Sequence, residues 1–230
     1  MFPEARRLFL SSGHVNLSRL IPSDARWLET WVNDPVTTHY MATGRTPVAP
    51  GQLAAQIEAW KEPADWPFAI VLAPDDSAWG SPPQDVDPIG TVGLYGVDWL
   101  SRKAEFRILI GAPYCGKGHG TAATKAMVAF GFDRLNLHRI WLGVTSDNIR
   151  ARIAYENAGF IGEGTLIDDL YRDGIYYHST RMAITRPRYE EARKTWDTGK
   201  VKPATTSEPG PATAVHAVEP WTGFRPPAGG

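Results

Sequence analysis

The strongest constraint on the fold lies between Ala104 and Phe160, where a strand, a glycine-rich loop and a helix follow one another. Residues 104–110 predict a strand, because their side chains alternate between two faces. The loop C-G-K-G-H-G-T begins at Cys115, and a glycine-free helical run follows it to Phe130. Glycines let backbone N–H groups approach a phosphate, and a helix start adds partial positive charge. This order predicts a phosphate or pyrophosphate site.

A second helical pattern closes the same stretch with the motif N-x-x-A-x-x-x-Y-x-x-x-G-F. Asn148 is predicted to cap the helix, with Asp147 as the competing cap. Tyr155 shares a helical stripe with the two alanines of the motif. Gly159 is predicted to end the helix, and Phe160 to return the chain to the core.

The elements along the chain predict a mixed sheet with helices on both faces, an α+β fold. Seven strands are predicted, at 15–20, 68–72, 89–97, 103–110, 138–144, 159–164 and 174–185. Four helices are predicted, at 25–32, 50–60 and 121–130 and around Tyr155. Residues 1–186 form the predicted domain. Residues 187–230 form a Pro/Gly-rich extension with a charged helical patch at 189–196.

Composition excludes several classes of protein. The chain has 230 residues, 43% of them hydrophobic, which suits one sizeable globular domain. A net charge of −1 argues against a nucleic-acid-binding protein. With one cysteine, Cys115, no internal disulfide forms. No apolar run approaches the roughly 18 residues of a membrane span, and the first residues of this sequence lack the long apolar region expected of a secretory signal. We expect a soluble, cytoplasmic protein.

The two motifs resemble those of the GNAT N-acetyltransferases, in the branch of the spermidine N-acetyltransferases and the ribosomal-protein N-terminal acetyltransferases. The family's pyrophosphate motif, Q/R-x-x-G-x-G/A, matches C-G-K-G-H-G from Cys115. Similarity to spermidine N-acetyltransferases extends through R-K-A-E-F-R-I-L-I from Arg102, F-G-F-D-R-L-N-L from Phe130 and A-Y-E-N-A-G-F from Ala154. It covers residues 13–185 and implies the GNAT fold, a mostly antiparallel mixed sheet of about seven strands and four helices.

The resemblance implies an acetyl-CoA-dependent transfer to an amine, without a metal. The implied contacts with CoA come from Ile108, Leu109, Ile110, Gly116, Lys117, Gly118, His119, Gly120, Thr121, Asn148 and Arg152. The implied acceptor pocket contains His39, Tyr40 and Arg45. Relatives commonly assemble, so a homo-oligomer, dimer or larger, is expected.

Two residues suit the chemistry of the transfer. Tyr155 has a phenol that can donate a proton to the leaving thiolate, although an aromatic residue on a helix stripe also packs in cores. Glu105 lies on the central strand and could accept the proton of the incoming amine. Glu105 could instead pair with Arg107, which lies two residues on along the same face.

The chain departs from the family at two places. Cys115 replaces the Gln or Arg that opens the pyrophosphate motif. The segment from Tyr40 to Arg45, Y-M-A-T-G-R, contains no acidic residue, although a polycation would require carboxylates there. The acceptor therefore remains open between a polyamine, an amino sugar and a protein N-terminus.

Two other functions compete with acetyl transfer. G-H-G-T-A-A from Gly118 fits G-x-G-x-x-A, and Asp147 could bind a ribose, as in a dehydrogenase. That motif lies mid-chain, and the remaining sequence is too short for a two-half nucleotide-binding sheet. A catalytically silent CoA-binding module is the second alternative, and Tyr155 argues against it.

Overall fold

The computed structural model describes residues 8–41, 46–49, 51–60, 62–73 and 87–196. These residues form one eight-stranded sheet and six α-helices. The strands are β1 (Leu8–Ser12), β2 (Val15–Arg19), β3 (Trp66–Leu72), β4 (Gly90–Asp98), β5 (Lys103–Ile110), β6 (Arg139–Thr145), β7 (Ile161–Arg172) and β8 (Ile175–Thr185). The helices are α1 (Ala25–Val32), α2 (Pro35–Thr38), α3 (Gln52–Ala59), α4 (His119–Ala129), α5 (Ile149–Asn157) and α6 (Arg186–Trp196). The predicted α+β class with a mixed, mostly antiparallel sheet is confirmed.

The sheet has the strand order β1-β2-β3-β4-β5-β6-β8-β7. Every neighbouring pair is antiparallel except β5 and β6, which are parallel and joined by a crossover through α4. The carboxyl ends of β5 and β6 therefore lie at the same edge of the sheet. The glycine loop and α4 follow β5, and α5 follows β6. The starts of α4 and α5 therefore lie at that edge.

The structure adds to the predicted elements. The strand β1 lies where the sequence indicates only a lead-in, because five residues give too short a pattern to distinguish an edge strand. The strand β7 extends to Arg172 instead of residue 164, since its exposed side chains leave no alternation to follow. The short helix α2 was not predicted, although Asp34 caps it by accepting from the N–H groups of Val36 and Thr37.

Two hydrophobic clusters cover opposite faces of the sheet. On the first face, α4 packs against β2, β4 and β5 with fully buried residues such as Ala123 and Met127. On the second face, α1 and α3 contribute Leu28, Trp31 and Ile57, which pack with Leu109 of β5. Because β5 is buried on both faces, its position is fixed from both sides. This strand supplies the centre of the candidate site.

The helix α6 crosses the predicted domain boundary after residue 186 and packs on the first face. Tyr189 is 1% exposed, and its ring stacks on Phe132 with centroids 4.8 Å apart. The Tyr189 hydroxyl donates to the Asp133 carboxylate at 2.8 Å, which also accepts from Arg193 at 2.9 Å. The predicted loop at 74–88 falls mostly outside the described residues, and the extension beyond 196 does so entirely. Among the described helices, none has the length and apolar character needed to cross a membrane.

Candidate active site

The glycine loop forms an open cradle at the start of α4. Gly116 and Gly118 have φ of 78° and 85°, which side-chain-bearing residues rarely adopt. The first helical hydrogen bond runs from Ala122 N to Gly118 O at 3.1 Å. The N–H groups of residues 119–121 therefore precede the helical ladder and point out of its start. A Cβ atom at Gly120 would meet nothing within 4 Å, so an anion has room to approach these donors.

Basic side chains surround this cradle. A Cβ atom at Gly116 would meet only Arg150 Nη1 at 3.9 Å, and one at Gly118 only the His14 ring, at 3.6 Å and beyond. The centroids of the His14 and His119 rings are 4.6 Å apart. Burial, with smaller effects of His14 and Lys117, lowers the pKa of His119 below its ordinary 6.5. His119 Nδ1 is buried without a hydrogen-bond partner in the described chain.

The lone cysteine lies beside the same loop. The Cys115 thiol approaches Ile110 O at 3.7 Å and Gly111 O at 3.8 Å. Burial raises the pKa of this thiol, and the positive charge of Arg150 opposes that shift in part. Cys115 therefore holds a protonated thiol that donates weakly to the end of β5, where the family has a longer polar side chain.

The strands β5 and β6 part at the centre of the sheet. They pair at Ala104 with Ile140 and at Glu105 with Trp141, and no pair follows among the described residues. Gly111 N donates to Ile89 O, so by antiparallel alternation the backbone of Leu109 also faces β4. The backbone groups of Ile108 and Ile110 face the gap between β5 and β6. An extended amide ligand could hydrogen-bond there as an added strand.

Tyr155 lies on the first face of the sheet, at this gap. Its ring contacts Phe106 of β5 and Phe160, with centroid distances of 5.9 Å and 6.0 Å. Burial raises the pKa of Tyr155 to about 12, so its hydroxyl is protonated at neutral pH. The predicted cap is present, since the Asn148 side chain accepts from Ala151 N at 3.1 Å. That hydrogen bond fixes the start of α5 and hence the position of Tyr155.

Glu105 projects from the second face, opposite Tyr155. Its neighbours along β5, Ala104 and Phe106, pack in the hydrophobic cluster on the first face. Successive side chains of a strand point to opposite faces of the sheet. The Glu105 carboxylate pairs with Arg107 at 2.7 Å. The sequence predicted this pairing as the alternative to a catalytic base, and it leaves the carboxylate partly exposed on the second face, beside the gap.

The segment after α2 contacts the carboxyl end of β6, at Thr145. The Tyr40 carbonyl oxygen accepts from Thr145 Oγ1 at 2.8 Å, and the rings of His39 and Tyr40 are 4.5 Å apart. Arg45 lies outside the described residues. Arg152 lies on α5, the helix that also carries Tyr155. Its charge is paired with Glu156 of the same helix, at 3.6 Å.

The sequence did not indicate His14, which lies 105 positions before His119. No local pattern marks a residue in the β1–β2 turn as a neighbour of the glycine loop, and only the fold brings them together. The described residues contain no group of three His, Cys, Asp or Glu side chains placed to bind a metal ion.

Comparison with known proteins agrees with this geometry. Residues 14–161 match the family model of the acetyltransferase (GNAT) domain. The spermidine N(1)-acetyltransferase of Escherichia coli K12 is 35% identical over 119 residues, which are 52% of this chain and 64% of that protein. The putative ribosomal N-acetyltransferase YdaF of Bacillus subtilis is 30% identical over 101 residues, 44% of this chain and 55% of that protein. The chain thus spans less than two thirds of these curated relatives.

A solved structure covers more of the chain. Spermidine N-acetyltransferase from Vibrio cholerae, in complex with CoA and spermine, superposes with a TM-score of 0.67 at 26% identity. The similarity covers 77% of this chain and 98% of that one. The fold of this chain therefore has a counterpart in a protein whose structure was solved with CoA bound.

Proposed function

Because the chain belongs to the GNAT acetyltransferase family, we propose that it transfers an acetyl group from acetyl-CoA to the primary amine of a small molecule, polyamine-like or an amino sugar. The observation that carries the proposal is the parting of β5 from β6 after Glu105 and Trp141, beside the cradle at the start of α4. The gap joins the two faces of the sheet, so a donor on one face and an amine on the other can meet through it.

The residues of the first face fit the donor. Acetyl-CoA supplies an activated thioester carbonyl and two linked phosphates. The N–H groups of residues 119–121 would bind phosphate oxygens, with Lys117 and Arg150 adding positive charge. Backbone groups of Ile108 and Ile110 would bind the amide-containing arm along β5.

Tyr155 and Glu105 divide the proton chemistry. A thiol with a pKa of about 8.5 is more acidic than a phenol with a pKa near 12. Tyr155 therefore acts as a hydrogen-bond donor to the charge that develops on sulfur as the C–S bond breaks. Glu105, directly or through water, accepts the proton that the amine loses as the N–C bond forms. Solvent then protonates the departing thiolate.

The proposal extends to assembly and location. We expect a homo-oligomer in the cytoplasm. Support for an oligomer comes from the β7–β8 hairpin, where large apolar side chains are exposed to solvent. These side chains are Leu166, Ile167, Tyr171, Ile175 and Tyr176.

The test is an acceptor screen with acetyl-CoA that follows free thiol across polyamines, amino sugars, aminoglycosides and short peptides. Replacing Tyr155 with Phe should lower kcat by roughly 100- to 1000-fold, the usual effect of removing one such donor. The residual rate should keep the same pH dependence up to about pH 10, since a phenol with a raised pKa does not titrate below it.

Two controls separate the reaction from the fold. Calorimetric titration with CoA should give the same Kd for Tyr155→Phe as for the parent chain, and Tyr171→Phe, which alters an exposed tyrosine of β7, should keep full kcat. The parent chain's failure to bind CoA would refute the proposed function, and an unchanged kcat in Tyr155→Phe would refute the role of Tyr155 in it.

A further inference from the structure

The second face of the sheet carries a side-chain cluster that acetyl transfer leaves unexplained. Glu105 and Trp141 are directly paired, and Gly143 of β6 pairs with Arg181 of β8. By strand alternation these residues all lie on the face opposite Phe106. The apolar cluster under α1 and α3 includes Leu109 of β5 but no described residue of β6 or β8. The helices therefore leave this part of the face open beside the gap.

Arg181 occupies the centre of this open face. Its guanidinium carbon lies 4.0 Å from the centroid of the Trp141 ring. A Cβ atom at Gly143 would meet nothing within 4 Å, so the space above Gly143, which pairs with Arg181, is open. A guanidinium held over an aromatic ring is already ordered and still presents its N–H groups at the edge.

Among the neighbouring charges, Arg139 is the main partner of the Glu163 carboxylate and lowers its pKa, and the positive charge of Arg181 contributes to that shift. Arg107 pairs with Glu105 at 2.7 Å, and Arg139 donates to both oxygens of Glu163. The Asp169 carboxylate accepts a hydrogen bond from Ser179 Oγ. The Glu105 and Glu163 carboxylates thus each pair with another arginine, and Asp169 has a hydroxyl donor. Within the described chain no carboxylate lies within 4.0 Å of Arg181.

A second guanidinium borders the same face near the predicted acceptor pocket. Arg172 lies over the Tyr177 ring at 5.1 Å, and its Nη2 donates to Met41 O at 3.4 Å. Its Nη1 is buried and has no hydrogen-bond partner among the described residues. Met41 directly follows His39 and Tyr40, so this cation adjoins the segment that contacts the end of β6. A buried donor without a partner is costly unless a ligand supplies one.

We propose that the acceptor is an amine that also carries an anionic group, a phosphate or a carboxylate, which Arg181 binds over Trp141. The inference rests on the proposed function and narrows its acceptor. Two strand spacings, on the order of 10 Å, separate β5 from β8, so the amine reaches the gap while the anion contacts Arg181. The planar guanidinium donates two N–H groups to two oxygens of the anion. A polyamine would instead face Arg172 and Arg181 with charge of the same sign.

Matched pairs of amines test this assignment, because the members of each pair differ only in the anion. Glucosamine 6-phosphate is compared with glucosamine, and lysine with lysinamide, and spermidine serves as the polycation. We expect at least one amine that carries the anionic group to exceed both its partner without that group and spermidine in kcat/KM by about tenfold or more. The pair with the larger ratio distinguishes a phosphate from a carboxylate.

Variants of Arg181 identify the group responsible. Arg181→Gln should raise KM for the amine that carries the anionic group by about 10- to 100-fold with little change in kcat, and should leave KM for its partner without that group unchanged. Arg181→Lys should recover part of the affinity, since it keeps the positive charge but loses the planar guanidinium that donates two N–H groups to the anion. The matched control is Arg134→Gln, which removes an exposed cation near the Phe9 ring and should change neither KM.

Three outcomes would overturn the inference. Spermidine could be turned over at least as well as the anionic amines, Arg181→Gln could leave every KM unchanged, or no anionic amine could be acetylated or bind the CoA-loaded protein in calorimetry. Each leaves the proposed function standing if CoA binds and any amine is acetylated. Loss of CoA binding by the parent chain is the separate failure of the proposed function.

Discussion

The turn that ends α5 combines a left-handed glycine with close packing, and replacing Gly159 with Ala probes it. Gly159 has φ of 100°, where a residue with a Cβ atom is strained by about 1–3 kcal/mol. The added Cβ would lie 2.7 Å from Ala192 Cβ and 2.9 Å from Ile184 Cδ1. Overpacking of this kind costs a further 1–3 kcal/mol, while reduced freedom of the unfolded chain returns about 0.4–1 kcal/mol.

We therefore expect Gly159→Ala to lower the free energy of unfolding by about 3 kcal/mol. For a domain of this size that corresponds to a fall in Tm of about 6–12 °C, measured by circular dichroism at constant protein concentration. Gly164→Ala is the matched control, because a Cβ there meets nothing within 4 Å, and its Tm should stay close to that of the parent. A fall of less than about 3 °C in Gly159→Ala would refute the reasoning.

A double-mutant cycle locates the clash. Ala192→Gly alone should cost about 1 kcal/mol, as glycine does within a helix. Combined with Gly159→Ala, it removes one of the two close contacts, so the pair should be less destabilising than the sum by about 1 kcal/mol. Strict additivity would mean that α6 does not pack against the end of α5. The cycle therefore also tests whether the domain ends at residue 186 or includes α6.

Two further predictions concern the start of α5 and the cradle. Asn148→Ala should lower the free energy of unfolding by about 1 kcal/mol through loss of the cap, and Asn148→Ser should restore most of it; a lower CoA affinity in Asn148→Ser at full stability would assign the amide a separate role in binding. Because the pKa of His119 is lowered by burial, the unfolded chain binds more protons below about pH 6.5, so stability should fall with acidification from that pH downward. Urea unfolding at about pH 7 and pH 5 should show a smaller fall for His119→Gln, and an equal fall would show that His119 does not contribute.

Local pattern was enough to predict several elements of the fold, including the strand that carries the candidate site. The strand at 103–110 and the helix at 25–32 have the predicted bounds, because each has a clear apolar period and a clear stop signal. The Asn148 cap was predictable for the same reason, since a cap and its partner are three residues apart. The long β7 was not, because its exposed residues show no burial period and its register shifts twice along β8.

The two halves of the candidate site differ in the same way. The cradle consists of backbone N–H groups, whose positions depend on glycines and a helix start within one short stretch, so the sequence displays them directly. The acceptor face depends on side chains from separate strands. Trp141 contacts Arg181 only because β6 pairs with β8. The two residues are 40 positions apart in the sequence, so no local pattern predicts the contact.

This difference explains how related chains can share a donor and differ in acceptor. Residues of the first face are held by the larger core, so few substitutions near Tyr155 leave the fold intact. Arg181 lies on the face that the helices leave open, where a substitution changes charge without removing packing from either core. Under the proposed function, an arginine at that position would redirect the acceptor from a polycation to an anion-bearing amine while the cradle, the gap and Tyr155 stay the same.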